Sequence, residues 1–152
     1  MPFTIKASVE ALRDFGKKSG YFSDVVIGEP TKVLAGEKLS AAVYTQSARV
    51  VAVAVNGGTV EVHTVTFRIY RKALTDPVSA AELELALGVQ QLLSDILADS
   101  DLGATIRAID VGGIYGETVG TEWGYVELGG VLYRVADITI PLIVDDSATA
   151  AQ

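Results

Sequence analysis

Two long segments of this sequence alternate apolar and polar side chains and then change which positions are apolar. In residues 59–70 the apolar positions are first Val60 and Val62, and afterwards Val65, Phe67 and Ile69. Because successive strand side chains point to opposite faces of a sheet, this change moves the apolar side to the other face. The segment therefore predicts either a β-bulge or a hairpin tip that leaves the body of the domain and contacts a different partner.

The same change occurs within residues 131–144. The apolar positions are odd-numbered up to 135 and even-numbered from 138 onwards: Val131, Tyr133, Val135, Ile138, Ile140 and Leu142. Two strands that each change their apolar face are typical of one sheet that serves two environments. We predict these environments to be the domain core and a subunit interface, since edge strands pair readily with a neighbour.

A hairpin is predicted in the middle of the chain. Asn56-Gly57 separates two runs rich in β-branched residues, 49–55 and 59–70, and is followed by Gly58. Asn-Gly between such runs is a strong hairpin signal, because a type I′ turn needs positive φ at both central residues. We expect this hairpin to protrude from the domain.

Two segments have helical periodicity. The first places Ile5, Val9, Leu12 and Phe15 on one face, and Gly20 stands where a left-handed C-cap belongs. The second is announced by Asp76-Pro77, a capping residue followed by proline at the first helical position. Its apolar stripe should cover one face of the sheet and comprises Leu85, Val89, Leu92, Leu93 and Ile96.

The order of these elements predicts an α+β domain with a mainly antiparallel β-sheet, covered by two helices and carrying the protruding hairpin. The chain has 152 residues and 49% apolar side chains, which fits one domain with a single core. We expect that domain to span residues 1–146. Residues 147–152 are small and Ala-rich, and they predict a flexible C-terminal tail.

The composition excludes several classes of function for this chain. The formal net charge is -7, from 12 basic and 19 acidic residues, which argues against a protein that wraps nucleic acid. With no cysteine and one histidine, we expect no disulfide, no metal site and no cofactor. The N-terminus does not have the pattern of a signal peptide, and the apolar stretches are too short and interrupted to span a bilayer.

Catalysis is not expected from these residues. His63 could act as a base, but no Gly-x-Ser-x-Gly motif surrounds any serine. The glycines at 112, 113 and 116 do not fit a dinucleotide fingerprint, and Gly36-Glu37-Lys38 does not fit a phosphate-binding loop. We therefore predict a protein that is not an enzyme.

The chain resembles the tail terminator proteins of long-tailed (siphovirus-type) bacteriophages, most of all those of actinobacterial phages. The resemblance runs from about residue 39 to 146, and its most specific part is the closing segment LYRVADITIPLIVDD at 132–146. The other matching stretches are LSAAV at 39–43, SARVV at 47–51, FRIY at 67–70, IDVGGIYG at 109–116 and Gly124-Tyr125.

The resemblance implies a structural virion protein of the head-tail junction, assembled in the bacterial host cytoplasm. Tail terminators are typically hexameric rings that cap the tail tube, stop its polymerisation and join the tail to the head completion or connector protein. DNA passes through the lumen without sequence recognition. The implied partners are thus copies of the chain itself, the major tail tube protein, a head completion protein and passing DNA, with no membrane.

Candidate contact residues follow from these patterns. Subunit or partner contacts are expected at the hairpin, at the aromatic residues after the glycine loop, and at the second half of the closing strand: Asn56, Gly57, Val60, Val62, His63, Tyr115, Trp123, Tyr125, Ile138, Ile140 and Leu142. Lumen candidates are the acids Asp99, Asp101, Asp145 and Asp146. Two plainer interpretations stay open, namely that Trp123 and Tyr125 cover a sheet edge and that the acids are solvated.

Two other functions also stay open. The chain could be a head completion or connector ring protein, since such proteins share small α+β folds. From a different class, it could be a small-molecule-binding α+β dimer with a preformed apolar pocket.

Overall fold

The computed structural model describes residues 5–29, 39–53, 58–72, 78–99, 102 and 106–145, with side chains given for all of these except 23, 78–81 and 145. The chain forms two helices and six strands in the order α1 (Ile5–Ser19), β1 (Phe22–Ile27), β2 (Leu39–Val53), β3 (Thr59–Lys72), α2 (Val78–Ala98), β4 (Ala108–Ile109), β5 (Gly120–Leu128) and β6 (Val131–Asp145). The predicted tail and the predicted start of the second helix at Asp76-Pro77 lie outside the described residues.

All six strands belong to one mixed sheet. The strand order is β1-β2-β3-β6-β4, and β5 also pairs with β6. The β1–β2 pair is parallel, whereas every other pair is antiparallel. The predicted α+β class, with a mainly antiparallel sheet covered by helices, is confirmed.

The main core lies between the two helices and one face of the sheet. Leu12 of α1 and Leu85, Leu92 and Ile96 of α2 are fully buried, as the predicted stripes require. They pack with Phe67 and the other apolar residues on that face of the sheet, which are Leu39, Ala41, Val43, Val65, Ile69, Ala136, Ile138, Ile140, Leu142 and Val144. Helical periodicity therefore located the buried faces of both helices.

Two glycines are required where they stand, one by a close approach and the other by its backbone conformation. A Cβ at Gly88 would lie 2.7 Å from Leu39 Cδ1, so the backbone of α2 approaches β2 closely there. Gly20 follows α1 with a φ of 76°, and this confirms the predicted left-handed C-cap.

The change of apolar parity in β6 is explained by two buried faces, whereas in β3 the pairing excludes only the predicted bulge. β3 pairs with β6 without a register shift, from Val60 opposite Asp145 to Lys72 opposite Tyr133. Instead, both faces of these strands are buried: the even-numbered side of β3 and the odd-numbered side of β6 contribute Tyr70, Tyr133 and Val135 to a second cluster with Ala42. The prediction of a bulge in residues 59–70 is wrong, because the pairing of β3 with β6 is continuous. Val60 and Val62 are not members of the second cluster, so a different partner for the hairpin tip stays a prediction.

The bulges lie in the other arm of the hairpin. β2 pairs antiparallel with β3, and its register shifts between Thr45 and Ser47 and again between Val50 and Ala52. Because β3 is paired with β6 on its other side, only the first arm has an edge without a described strand neighbour. The two hairpin arms are confirmed, whereas the turn at Asn56 and Gly57 lies outside the described residues.

Candidate functional site

The first arm of the hairpin has a free edge. β1 pairs with β2 only as far as Val43, so residues 45–53 have a described strand neighbour on one side only. We call residues 45–53 the β2 arm. Val50 and Val53 are 56% and 71% exposed on it. An exposed strand edge with apolar side chains is a ready template for another chain.

The second arm is less accessible than expected. Val60 and His63 are half-buried, and Val62 is buried between Arg49 of β2 and Ile143 of β6. His63 Nε2 lies 3.7 Å from the Glu61 carboxylate. Val62 is therefore not available to a second subunit, because its neighbours in the sheet already enclose it.

The three candidates in the closing strand are corrected by the structure. Ile138, Ile140 and Leu142 are fully buried in the main core, on the face of β6 that packs under the helices. The sequence placed them correctly on one face but assigned that face to a neighbouring subunit. Their own helices cover it, and so these side chains cannot contact another chain in this fold.

The glycine loop, residues 110–119, is held in place by specific contacts. The buried Asp110 carboxylate accepts hydrogen bonds from the backbone N–H of Ile114 at 2.8 Å and of Tyr115 at 3.0 Å. Arg49 donates to the Tyr115 carbonyl, and Thr64 donates to Glu117 at 3.0 Å. The half-buried Tyr115 thus belongs to a loop that is fastened to β2 and β3.

Trp123 and Tyr125 lie on β5, next to the start of α2. Both are exposed, and the Arg134 guanidinium lies 6.0 Å from the Trp123 ring centre and 4.7 Å from that of Tyr125. Arg134 also pairs with Glu82 of α2 at 3.1 Å. These aromatic rings cover Arg134 and still present an exposed surface. This arrangement fits both a partner contact and a cover over the sheet edge.

A polar trough that the sequence analysis missed crosses the face of the sheet opposite the helices. Arg68 of β3 and Asp137 of β6 form a two-pronged ion pair at its centre, with distances of 2.5 and 2.9 Å. Tyr44 and Tyr70 flank the Arg68 guanidinium at 5.7 and 6.0 Å. The trough has a volume of about 260 Å³, and Gln46, Thr66, Glu122 and Thr139 complete its lining.

The surroundings in the trough raise the pKa values of three of its side chains. Burial raises the pKa of Tyr44 to about 12, even though the nearby Arg68 cation acts in the opposite direction. Burial also raises the pKa of Tyr70. The hydrogen bond to Asp137 raises the pKa of Arg68, so the guanidinium stays charged. The cation is therefore matched by a carboxylate of the same chain and is not left for an external anion.

The acidic lumen candidates are only partly described. Asp99 is half-buried just after α2, where its backbone N–H donates to Ile96 and its carbonyl accepts from Leu102. The backbone of Asp145 pairs with Val60 at the end of β6, but its side chain is not described. Asp101 and Asp146 lie outside the described residues.

The sequence analysis also missed a set of exposed leucines. Leu83, Leu87 and Leu97 are 66%, 56% and 42% exposed on α2, opposite the buried stripe. They recur at helical spacing, so a search for a second apolar face on this helix would have found them. We call these three residues the leucine stripe.

The described residues were compared with the requirements of a metal site and of a membrane-spanning helix. In the described part of the chain, no three His, Cys, Asp or Glu side chains come together as metal ligands. Neither described helix has the length and apolar character that a bilayer crossing requires. What the described side chains do offer is contact surface.

A scan of the chain against protein-family models finds no match. A search of curated proteins likewise finds no significant relative. Function is therefore inferred from the residues and their arrangement.

Proposed function

We propose that this chain is a tail terminator of a long-tailed phage. It forms a ring, expected to be hexameric, that caps the tail tube, stops its polymerisation and joins the tail to the head connector while DNA passes through the lumen. It acts in the tail or neck region of the virion and is made in the host cytoplasm. The proposal starts from the resemblance of residues 39–146 to that family.

The observation that carries the proposal is the β2 arm. A strand with a free edge and the exposed apolar side chains Val50 and Val53 favours association with another chain. A head-to-tail contact of this kind between identical subunits closes into a ring when the rotation permits it. An assembly protein needs such a surface, whereas a monomeric protein gains nothing from it.

Charge gives further support. The net charge of -7 would let DNA pass through a lumen without adhering to its wall, because like charges repel. The lumen candidates in this proposal are the acids Asp99, Asp101, Asp145 and Asp146. The described interface candidates that stay are those with at least partly accessible side chains: Val60, His63, Tyr115, Trp123 and Tyr125. Asn56 and Gly57, outside the described residues, stay candidates as well.

The test uses purified tail tubes and filled heads. A terminator should bind the end of an isolated tail tube in electron micrographs, and phage that lack it should make tails of uncontrolled length. Binding to filled heads but not to tubes would favour the connector alternative. Tails of normal length, joined to heads in the absence of the protein, would rule out the terminator function.

One observation favours the alternative of a small-molecule-binding dimer. An open apolar groove of about 420 Å³ lies between α1 and the β1–β2 pair, lined among others by Ile5, Val9, Ile27 and Tyr44. Apolar clefts of this size are typical ligand sites. Light scattering that shows a stable dimer in the presence of tail tubes, with no binding to them, would support this function instead.

A further inference from the structure

Three charged side chains form a row across the polar trough. Arg68 of β3 lies directly opposite Asp137 of β6, and Asp137 lies directly opposite Glu122 of β5. Residues that are opposite each other on neighbouring strands share a face of the sheet, and all three side chains line the trough. The row therefore consists of one cation followed by two carboxylates.

The cation of this row is already used. Arg68 donates two hydrogen bonds to the Asp137 carboxylate, at 2.5 and 2.9 Å, and its guanidinium lies 3.9 Å from a further acid, Glu29. In the described part of the chain, no hydrogen bond or ion pair involves the Glu122 carboxylate. Like charges directly opposite each other destabilise a sheet. A second cation beside Glu122 and Asp137 would therefore be favourable.

Two glycines flank Glu122 on the same face of β5. A Cβ at Gly120 would meet no described atom within 4 Å, and one at Gly124 would meet Val135 Cγ2 at an ordinary 3.9 Å. Neither glycine has a positive φ, and the pairing of β5 with β6 has no register shift. Close packing, a special backbone conformation and a bulge are thus all absent at these two positions of the described strand.

A strand glycine without such a cause is typical of a place where another molecule approaches the backbone. The outer edge of β5 is accessible, since β6 is its one described strand neighbour. Another chain can therefore cross this edge over Gly120 and Gly124 and reach the Glu122 carboxylate from the side away from Arg68.

The size and lining of the trough restrict its occupant. Its volume of about 260 Å³ is below the roughly 300–1,000 Å³ of typical small-molecule sites, whose linings are mainly apolar. It suits the head group of one side chain. A guanidinium is the best match, because its planar fork of N–H donors can serve neighbouring carboxylates at the same time. Thr139 adds a hydroxyl oxygen to the same lining.

We propose that the trough binds an arginine side chain of a partner chain, which crosses β5 over Gly120 and Gly124 and places its guanidinium against Glu122 and Asp137. The two carboxylates then have a cation on either side. This site goes beyond the proposed ring, because it requires of the partner no more than an accessible arginine.

A peptide titration tests the site. The isotope-labelled chain is titrated with the capped peptide acetyl-Gly-Arg-Gly-amide at low salt, which limits screening, and its backbone amide signals are followed by NMR. We expect saturable shifts at Gly120, Glu122 and Gly124. The matched probe has citrulline, an uncharged analogue of the same shape, in place of arginine. It should bind about tenfold more weakly, because hydrogen bonds to a carboxylate are stronger from a charged donor.

Two variants of β5 separate the trough from the rest of the strand. Glu122→Gln keeps the shape of the side chain and removes its charge, and it should weaken binding of the arginine peptide by about tenfold. Glu127→Gln is the matched control, since Glu127 is also exposed but lies on the opposite face of the same strand. Its binding should equal that of the natural chain.

Gly120→Val distinguishes a binding role of this glycine from a structural one. Valine favours strands, and its Cβ would meet no described atom, so the free energy of unfolding should not fall. The branched side chain would fill the path to Glu122 and should weaken binding of the arginine peptide by about fivefold or more. Unchanged binding by this variant would contradict the approach over the glycines.

Three results would overturn the proposal. These are the absence of saturable shifts at the trough, equal affinity for the arginine and citrulline peptides, and equal effects of Glu122→Gln and Glu127→Gln. The titration needs no tail tubes, so a failure to cap tubes would reject the terminator function and leave this site intact.

Sedimentation of the purified chain identifies the source of the arginine once the peptide binds as expected. Weaker self-association of Glu122→Gln than of Glu127→Gln would show that a second copy supplies the arginine. Equal self-association of the two variants would assign the arginine to a different protein. Both results support the site.

Discussion

At the scale of single residues, Arg68 and Asp137 show what a sequence pattern leaves undetermined. The two are 69 positions apart and lie on different strands, yet they form the shortest ion pair of the described residues. Nothing local to either residue marks it as a partner of the other. The β3–β6 register, which sets Arg68 opposite Asp137, creates the pair.

Removing one partner should destabilise the protein. Asp137→Asn leaves the half-buried Arg68 guanidinium without its carboxylate, and we expect the free energy of unfolding to fall by about 1–3 kcal/mol. Urea denaturation measures the change. Asp14→Asn, in the more exposed Arg13–Asp14 pair, is the control and should cost about 0.5 kcal/mol or less. Equal losses would mean that the sheet position adds nothing to the interaction.

The raised pKa of Tyr44, about 12, predicts a loss of stability in alkali. The unfolded chain releases this proton near the ordinary pKa of about 10, so between these two pH values the folded state holds more protons than the unfolded state. The stabilising contribution is complete below about pH 10 and decreases as the pH rises towards about 12.

Urea denaturation at a series of alkaline pH values measures this loss. Tyr44→Phe should make the decrease shallower. The raised pKa of Tyr70 should preserve part of the pH dependence in Tyr44→Phe. An identical pH profile for Tyr44→Phe and the natural chain would contradict the prediction.

At the scale of elements, α2 shows what helical periodicity can predict about burial and what it cannot. The stripe of Leu85, Val89, Leu92, Leu93 and Ile96 was predicted from spacing alone. Four of these side chains are buried, and Leu93 is half-buried against the core. Spacing also places Leu83 and Leu87 on the opposite side, but it does not tell whether that side meets another layer. The first turn from Val78 contains no acid, and Glu82 and Glu84 follow it. These two acids pair with arginines of the sheet, Arg134 and Arg71 respectively.

Two leucines of this helix should respond differently to truncation. Leu92→Ala removes a fully buried side chain and should lower the free energy of unfolding by about 2–5 kcal/mol, because it leaves a cavity in the main core. Leu87→Ala removes an exposed one and should cost about 0.5 kcal/mol or less at concentrations where the chain is monomeric. Thermal or urea unfolding compares them. A loss well under about 2 kcal/mol for Leu92→Ala would place the core elsewhere.

At the scale of the whole molecule, charge is the property that acts at a distance. With a net charge of -7, the protein should not retard duplex DNA in a mobility-shift experiment at about 0.15 M salt, because it lacks the basic surface that neutralises phosphates. Retardation that weakens as salt is added would reveal a local basic patch and would contradict a lumen through which DNA slides.

Local sequence patterns were enough to predict the helices, their inner faces, most of the strands and the hairpin arms. These follow from local geometry, since a helix repeats every 3.6 residues and a strand every two, whatever packs on them. The same patterns also separated Ile138, Ile140 and Leu142 from Tyr133 and Val135 as two faces of one strand.

Only the tertiary structure decided what each face meets. Ile138, Ile140 and Leu142 lie under the chain's own helices, and Tyr133 and Val135 join a second cluster with Ala42 and Tyr70. An apolar side chain has the same sequence pattern whether a helix, a second cluster or another subunit covers it, because the hydrophobic effect has no direction. The exposure of Leu83 and Leu87 of α2 and of Val50 and Val53 of the β2 arm is visible only once the rest of the chain is in place.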